Sequence, residues 1–575
     1  MTTTDSATSS FVPVSFNPAD FASIEPLGQW LIDRPLQTAD DLRQWLADLS
    51  AMLCAIYEYR SRVNIEYSCH TDVPEKEQAY MYFVEHVQPK LAPLMFKLQQ
   101  RYVQSAARAG LEADPSFKQL GREWDADVSI FREANVPLQT ELSKLNSEYD
   151  KLCGAMLVEF DGKTQTLQQM GRYLEEPDRA VREQAWRLIA DRRLADRDKG
   201  DEIFDRMIAL RHQIALNAGF DDFRGYVWKS MQRFDYTPGD CAAFADAIEK
   251  VVMPLSEELA VSRQAAMKLE KLRPWDTAVD PRNRPALKPF DPEKVPDFVE
   301  KTRLIFHRVD PKLGQQFAKL QFERNLDLDS RKGKRPGGYQ ASLELSKEPF
   351  IFMNSAGVQR DVETMLHEGG HAFHYLAAVA EQPLIYFRHS PLEFAEVASM
   401  SMELLGGPHL DLFYTDKQDH QRALRTHLEG IVKFFLWMAT IDQFQHWLYA
   451  NPQHTRAQRT AHWLSLMQRF GGKHIDWTGC EAARESLWQR QLHLYHVPFY
   501  YVEYGIAQLG ALQVWQNYRK DPRKALSQLL NAFALGGSRP LPELFKAAGI
   551  RFDFTAATIM PLMNAIGEEL AKLPE

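Results

Sequence analysis

The chain has 575 residues, a formal net charge of −9, 45% hydrophobic and 25% charged residues. That length exceeds what one hydrophobic core supports, so two lobes are expected, with the composition of a soluble globular protein. The mild acidity argues against nucleic acid or an anionic membrane as partner, and no run approaches the roughly 18 uninterrupted apolar residues of a membrane span.

The first residues, MTTTDSATSS, carry neither a basic region nor an apolar one. No secretion signal is visible, and residues 1–20 are expected to be a disordered tail. Cys54, Cys69, Cys153, Cys241 and Cys480 are scattered and form no CxxC pair. Reduced thiols in the cytoplasm fit that pattern. From about Phe21 to Lys151 the apolar spacing is helical, as in LRQWLADLSAMLCAIYEY. His70 and His86 are isolated there and are read as surface or core residues rather than as ligands. AMLVEFDGKTQTLQQ reads as a β-hairpin on Asp161-Gly162, and a charged helical stretch starts near Pro177. The six prolines between Arg273 and Asp297 mark an irregular excursion, either a boundary or a long loop. In RKGKRPGGYQASLELSKEPFIFMNSAGV, Gly337-Gly338 marks a turn and Pro349 to Asn354 a short strand.

The next stretch, MLHEGGHAFHYLAA, is hard to explain as packing. His367 and His371 are four apart, so on a helix their imidazoles lie on one face and can meet one metal ion. Glu368 is turned away from that line but can reach a water on the open side, the position of a general base. HExxH on a helix is the zinc metalloprotease signature. Asp361 is a candidate N-cap, and two glycines inside the helix, Gly369 and Gly370, cost about 1 kcal/mol each relative to alanine. They suit a helix that something must approach closely. His374 lies about 10.5 Å along the axis from His367, too far for the same ion.

The third ligand therefore comes from elsewhere. A second helix begins at Ser390-Pro391, where Ser390 as N-cap and Glu393 three residues on form a capping box. Glu396, 25 residues after His371, sits among Phe394, Ala395, Val397 and Ala398, where a carboxylate is costly unless paired or metal-bound. Glu396 is the expected third ligand, with Glu393 the alternative, and Glu403 is read as a supporting or solvated charge. One Zn²⁺ per chain is expected. Further on, THLEGIVKFFLWMATIDQFQHWLYA is a core helix, and His427, His446, His454, His462 and His474 are unassigned.

HEGGHAFH with the Glu of FAEVASMSME, GGYQ, PFIFMNSAG, DVETMLHE and the downstream HLYHVPFYYVEYGIAQLGALQVW together resemble the M3 family of zinc metallopeptidases. Within it the likeness is to the thimet oligopeptidase and oligoendopeptidase F group, and nearer to oligoendopeptidase F and Pz-peptidase-like bacterial members. The resemblance implies a mainly α fold: two largely helical lobes around a deep substrate channel, with a small β-sheet next to the HExxH helix. The N-terminal helical lobe would span 21–200 and the metallopeptidase lobe 201–575. It implies a cytoplasmic zinc endopeptidase acting on short peptides, with the oligomeric state left open. It also implies that Tyr504 donates to the oxyanion, assisted by His493 or His496, with Tyr501 a secondary donor. Gly337, Gly338 and Tyr339 would form a mobile loop over the site, and Glu363 would orient a ligand histidine. A zinc carboxypeptidase or dipeptidyl carboxypeptidase with the same triad is the alternative, with Arg335 or Arg388 to hold a terminal carboxylate.

Overall fold

Apolar spacing near 3.6 residues becomes helix over most of the chain in the computed structural model, which describes residues 11–335 and 337–574. Six helices position everything that follows: α1 (Ala39–Cys69), α2 (Pro238–Met267), α3 (Gln359–Glu381), α4 (Leu392–Gly406), α5 (Lys417–Ala450) and α6 (Tyr501–Lys520). Local chemistry starts the long ones. Thr38 Oγ1 accepts from the Asp41 N–H while the Asp41 carboxylate accepts from the Thr38 N–H, a reciprocal box that opens α1. Thr237 and Asp240 do the same for α2, with Pro238 at its first position. No helix among the described residues is long and apolar enough to cross a membrane.

Two sheets are present among the described residues: a hairpin of β1 (Leu157–Phe160) and β2 (Lys163–Thr166), and a group of β3 (Leu326–Asp329), β4 (Tyr339–Leu343) and β5 (Glu348–Ser355). The hairpin turns on Asp161 and Gly162, whose φ values of 55° and 67° are the pair of left-handed conformations a tight two-residue turn requires. In the larger sheet β5 is central, parallel to β3 and antiparallel to β4, which leaves β4 at an edge.

Packing groups the chain into two units, each discontinuous in sequence. The first comprises Met1–Ser129, Lys288–Thr415 and Gly510–Phe552; the second comprises Ile130–Leu287, Asp416–Leu509 and Asp553–Glu575. This grouping differs from consecutive lobes at 21–200 and 201–575, because the chain visits each core three times. One passage, at Leu287, falls inside the proline-rich excursion.

In the first unit, Trp45, Leu49 and Met52 of α1 are buried with Leu98, Tyr102 and Phe387. Residues 1–10 of the expected tail lie outside the described residues. Phe11, Val12 and Phe16, which a disordered tail would leave without contacts, pack against this cluster because they are apolar. Farther along α1, Ile65 and Cys69 pack on Leu343 and Phe352, so this helix covers a face of the three-stranded sheet. In the second unit α2 packs on α5, and Phe244 meets Phe435 edge to face. Asp276, fully buried, receives Arg179 and Arg182, and Asp280 receives Arg284 and Arg422, which ties the proline-rich segment down.

Candidate metal centre

α3 starts differently from expectation. Asp361 is not its cap but sits one turn in, and its carboxylate reaches back to the N–H groups of Ala356 at 2.7 Å and Val358 at 3.0 Å. α4 also departs: it starts at Leu392 after Pro391, no side chain caps it, and the Ser390 hydroxyl is buried without a hydrogen-bond partner. The expected capping box is therefore absent. Proline at the boundary has no N–H to satisfy, which removes one of the groups that box would serve.

The two glycines explain how α3 and α4 come together. A Cβ on Gly370 would lie 2.6 Å from the Ala398 carbonyl oxygen and 2.6 Å from Ser399 Cα, both backbone atoms of α4. A Cβ on Gly369 would meet the Phe306 ring instead. Close approach, expected of both positions, is thus made by a helix backbone at one and an aromatic ring at the other.

That crossing brings three ligand atoms together. Glu396 Oε2 lies 3.2 Å from His367 Nε2 and 3.6 Å from His371 Nε2, and the ligand atoms of the three residues all fall within 4.8 Å of one another. Ligands on one tetrahedral zinc, at about 2.0–2.2 Å from the ion, stand roughly 3.3–3.6 Å apart. Two imidazoles and a carboxylate at this spacing fit zinc in both chemistry and size, and leave a fourth position open. Glu393, the alternative ligand, is buried on α4 and does not join this group. His374 is buried against Phe533 and Phe394, away from the group, and burial pulls its imidazole down to about 3.

The supporting carboxylate is Glu403 rather than Glu363. Glu403 Oε1 lies 2.7 Å from His367 Nδ1, placed to accept Nδ1–H and so to leave Nε2 as the atom that would face a metal ion. Glu363 instead accepts from Gln359 at 3.2 Å and Arg360 at 3.4 Å. Glu363 is also four residues from His367, so it is its rotamer, turned back to Gln359 and Arg360, that leaves His367 to Glu403. Ser399, unflagged in the sequence, donates its hydroxyl to Glu396 Oε2 at 2.8 Å and holds that carboxylate in place.

Electrostatics set the group apart from a surface cluster. Burial raises the Glu396 carboxyl, but His371 and His367 together outweigh it and leave it below its ordinary range. Burial lowers His367, but hydrogen bonds to Glu396 and Glu403 carry it well above its ordinary value. His371, half-buried and without such a pair of acceptors, falls to about 4 because desolvation disfavours its charged form. Glu368 is 6% exposed, and burial pushes its carboxyl up to about 7, with the Gln340 backbone among the groups that oppose the rise. Gln340 belongs to β4, so the edge strand runs beside the candidate base.

The glycine turn precedes β4. Gly337 has φ +98°, a conformation side chains disfavour, and its carbonyl accepts from Asn354 at 3.2 Å. A Cβ on Gly338 would press on Thr364 of α3 at 3.1 Å. Tyr339 stacks on Phe352 with ring centres 4.9 Å apart, as part of the packing under α1. Of the two candidate carboxylate anchors, Arg388 is buried and held by Glu344 at 3.1 Å and the Pro383 carbonyl at 2.9 Å. Arg335 lies over the Tyr67 ring and donates to Asn64 at 3.3 Å.

The remaining candidates lie in the second unit, up to the first turn of α6. His493 packs against Tyr501, Tyr504 and Tyr500, with ring centres 4.9, 5.9 and 5.8 Å away. Gln491 Nε2 donates to His493 Nδ1 at 2.7 Å, which puts the ring proton on Nε2, and burial draws the imidazole down to about 4. His496 faces elsewhere: its Nε2 is 3.1 Å from Asp150 and its ring stands edge-on to Tyr149. Two arginines hold the segment between. Arg233 donates to the Phe499 carbonyl and to Glu503, each at 2.6 Å, and Arg211 donates to the Leu494 carbonyl at 3.1 Å. Phe499 has φ +68°, costly for a bulky residue, so the turn before α6 is held by these contacts. No motif marks Arg211 or Arg233 in the sequence, since each lies over 250 residues from what it holds.

Residues 172–563 match the family model of peptidase family M3. The oligoendopeptidase F homolog of Borreliella burgdorferi is 24% identical over 243 residues, 40% of this chain and 40% of that protein. Oligopeptidase PepF of Bacillus subtilis is 25% identical over 246 residues, 41% of this chain and 36% of that protein. The chain thus spans about two fifths of the length of these curated relatives. A solved structure, PZ peptidase A with inhibitor 2, superposes with a TM-score of 0.89 at 27% identity, covering 98% of this chain and 99% of that one.

Proposed function

This chain belongs to peptidase family M3, a family of metallopeptidases, and from that membership and the α3–α4 crossing we propose that it is a zinc-dependent endopeptidase acting on short peptides. The observation that carries the proposal is the convergence of His367, His371 and Glu396 with the buried Glu368 beside them. When bound to those three residues, zinc would supply Lewis acidity, bringing the pKa of a water to about 7 and polarising the scissile carbonyl.

The rest is work for the chain's own side chains. Glu403 fixes the tautomer of His367, and Ser399 steadies Glu396. Glu368 takes the proton of the attacking water and hands it to the leaving amine. A carboxyl that burial has moved to about 7 is matched to both halves of that task. The free edge of β4 offers backbone groups to an extended peptide, and main-chain pairing suits substrates of varied sequence. Tyr504 donates to the developing oxyanion, and His493, neutral with its proton on Nε2, is the assisting donor in preference to His496. Tyr504→Phe is expected to lower kcat by about 10²-fold with KM little changed, measured on one peptide; a variant within twofold of the wild type removes Tyr504 from that role.

Arg388 and Arg335 are both engaged within the protein, which supports internal over terminal cleavage. Mass spectrometry of a peptide blocked at both ends separates the readings. Cleavage at internal bonds is expected, and strict dependence on a terminal carboxylate would make the protein a carboxypeptidase instead. The five cysteines make no disulfide, which fits the cytoplasm we assign to it.

A further inference from the structure

Among the described residues a second group of metal-type side chains meets, wholly within the second unit: Cys241, Asp442 and His446. Cys241 lies in the first turn of α2, and Asp442 and His446 are four apart on α5, which puts both on one face of that helix. No sequence pattern links them, because thiol and acid lie on two helices far apart in the chain. Their ligand atoms all lie within 4.8 Å of one another.

Burial makes this group unlike a chance surface cluster. Cys241 and Asp442 are each 2% exposed and His446 9%, with the imidazole packed between Trp228 and Phe499. Inside such a site each polar atom needs a partner. Asp442 Oδ1 and His446 Nε2 have no hydrogen-bond partner. Asp442 Oδ2 and His446 Nε2 stand 3.5 Å apart, so the acid and the imidazole face each other without bonding. Ligands on a single ion keep that spacing, and His367 and His371 keep 3.2 and 3.6 Å from Glu396. Gln443 donates to Asp442 Oδ2 at 3.2 Å and so orients the carboxylate from outside the group.

We propose that Cys241, Asp442 and His446 form a second, structural metal site that takes a thiophilic divalent ion of the zinc class and fastens the first turn of α2 to α5. A thiolate, an imidazole and a carboxylate select such an ion over magnesium or calcium, which prefer all-oxygen sites. Binding releases the Cys241 proton to solvent, since the thiolate is the ligand form. The site is separate from the peptidase centre, whose donor set contains no sulfur.

That difference supplies the test. Metal-stripped protein is titrated with cobalt(II) and followed in the near ultraviolet, where a thiolate-to-cobalt charge-transfer band appears that imidazole and carboxylate ligands do not give. Two equivalents are expected to bind, one of them bringing the band. The band should persist in a His367→Ala, His371→Ala double variant and vanish in Cys241→Ala. His446→Gln, which keeps the thiol and a polar side chain, should weaken binding of the band-forming cobalt by at least about tenfold. It decides the matter if circular dichroism shows that Cys241→Ala does not fold. Absence of the band in the wild type, its survival in Cys241→Ala, or unchanged affinity in His446→Gln overturns the proposal.

Discussion

Glu368→Gln is expected to keep its zinc and its fold while kcat on a peptide falls by at least about 10³-fold, within the range general acid–base groups contribute. The side chain is not among the three that converge, so metal content measured on the purified variant should match the wild type. Its shape is kept, so the packing around this buried side chain is preserved. Stability should hold or rise. Burial raises the Glu368 carboxyl above its ordinary value, which means that the folded state disfavours the charged form at neutral pH. A neutral amide removes that cost, so the melting temperature should not drop. A variant within tenfold of wild-type turnover would strip Glu368 of the base role. Loss of metal at intact fold would make it part of the metal-binding shell instead.

The contrast between Glu368 and Glu403 shows what could be read from the chain before its structure. Placements that depend on spacing within one helix were legible: that His367 and His371 share a face, with Glu368 next to that line, follows from the helical period. Glu396 was legible for another reason, because a carboxylate inside FAEVA needs a partner. The helical class and the hairpin on Asp161-Gly162 also came from local patterns. Roles that depend on how two helices cross were not legible. Glu363 and Glu403 are both acids at helical distance from a ligand, and only the crossing of α3 and α4 points Glu403 at His367 Nδ1. Ser399, Arg211 and Arg233 act on residues that the sequence alone does not bring near them, or act through a rotamer it does not specify. The start of α4 failed for a related reason, since a good capping pattern was present but Pro391 took the boundary.

Gly370→Ala tests the crossing itself, and two arguments give it opposite signs. Considered as an isolated helix, α3 should gain about 1 kcal/mol from alanine at this position. Considered in the fold, the new methyl lands 2.6 Å from two backbone atoms of α4, and neither can be relieved by turning a side chain. α4 as a whole has to move. Overpacking of this kind costs about 1–3 kcal/mol, and a clash with backbone atoms that no rotamer change relieves belongs at the upper end, above the helical gain. Glu396 lies on α4 only three residues before Ser399, so the displacement carries its carboxylate away from His367 and His371. Metal sites tolerate about 0.2 Å in ligand distance, and a misplacement near 1 Å costs about 10² in rate on its own. Lost metal adds to that, so turnover should fall by at least about 10³-fold together with a lower melting temperature and reduced zinc content. Gly369→Ala is the control, because its methyl meets the Phe306 ring rather than α4. It should lose stability while zinc stays bound. A Gly370→Ala protein that melts higher than the wild type and holds stoichiometric zinc would mean that the close approach of the two helices does not set the metal centre.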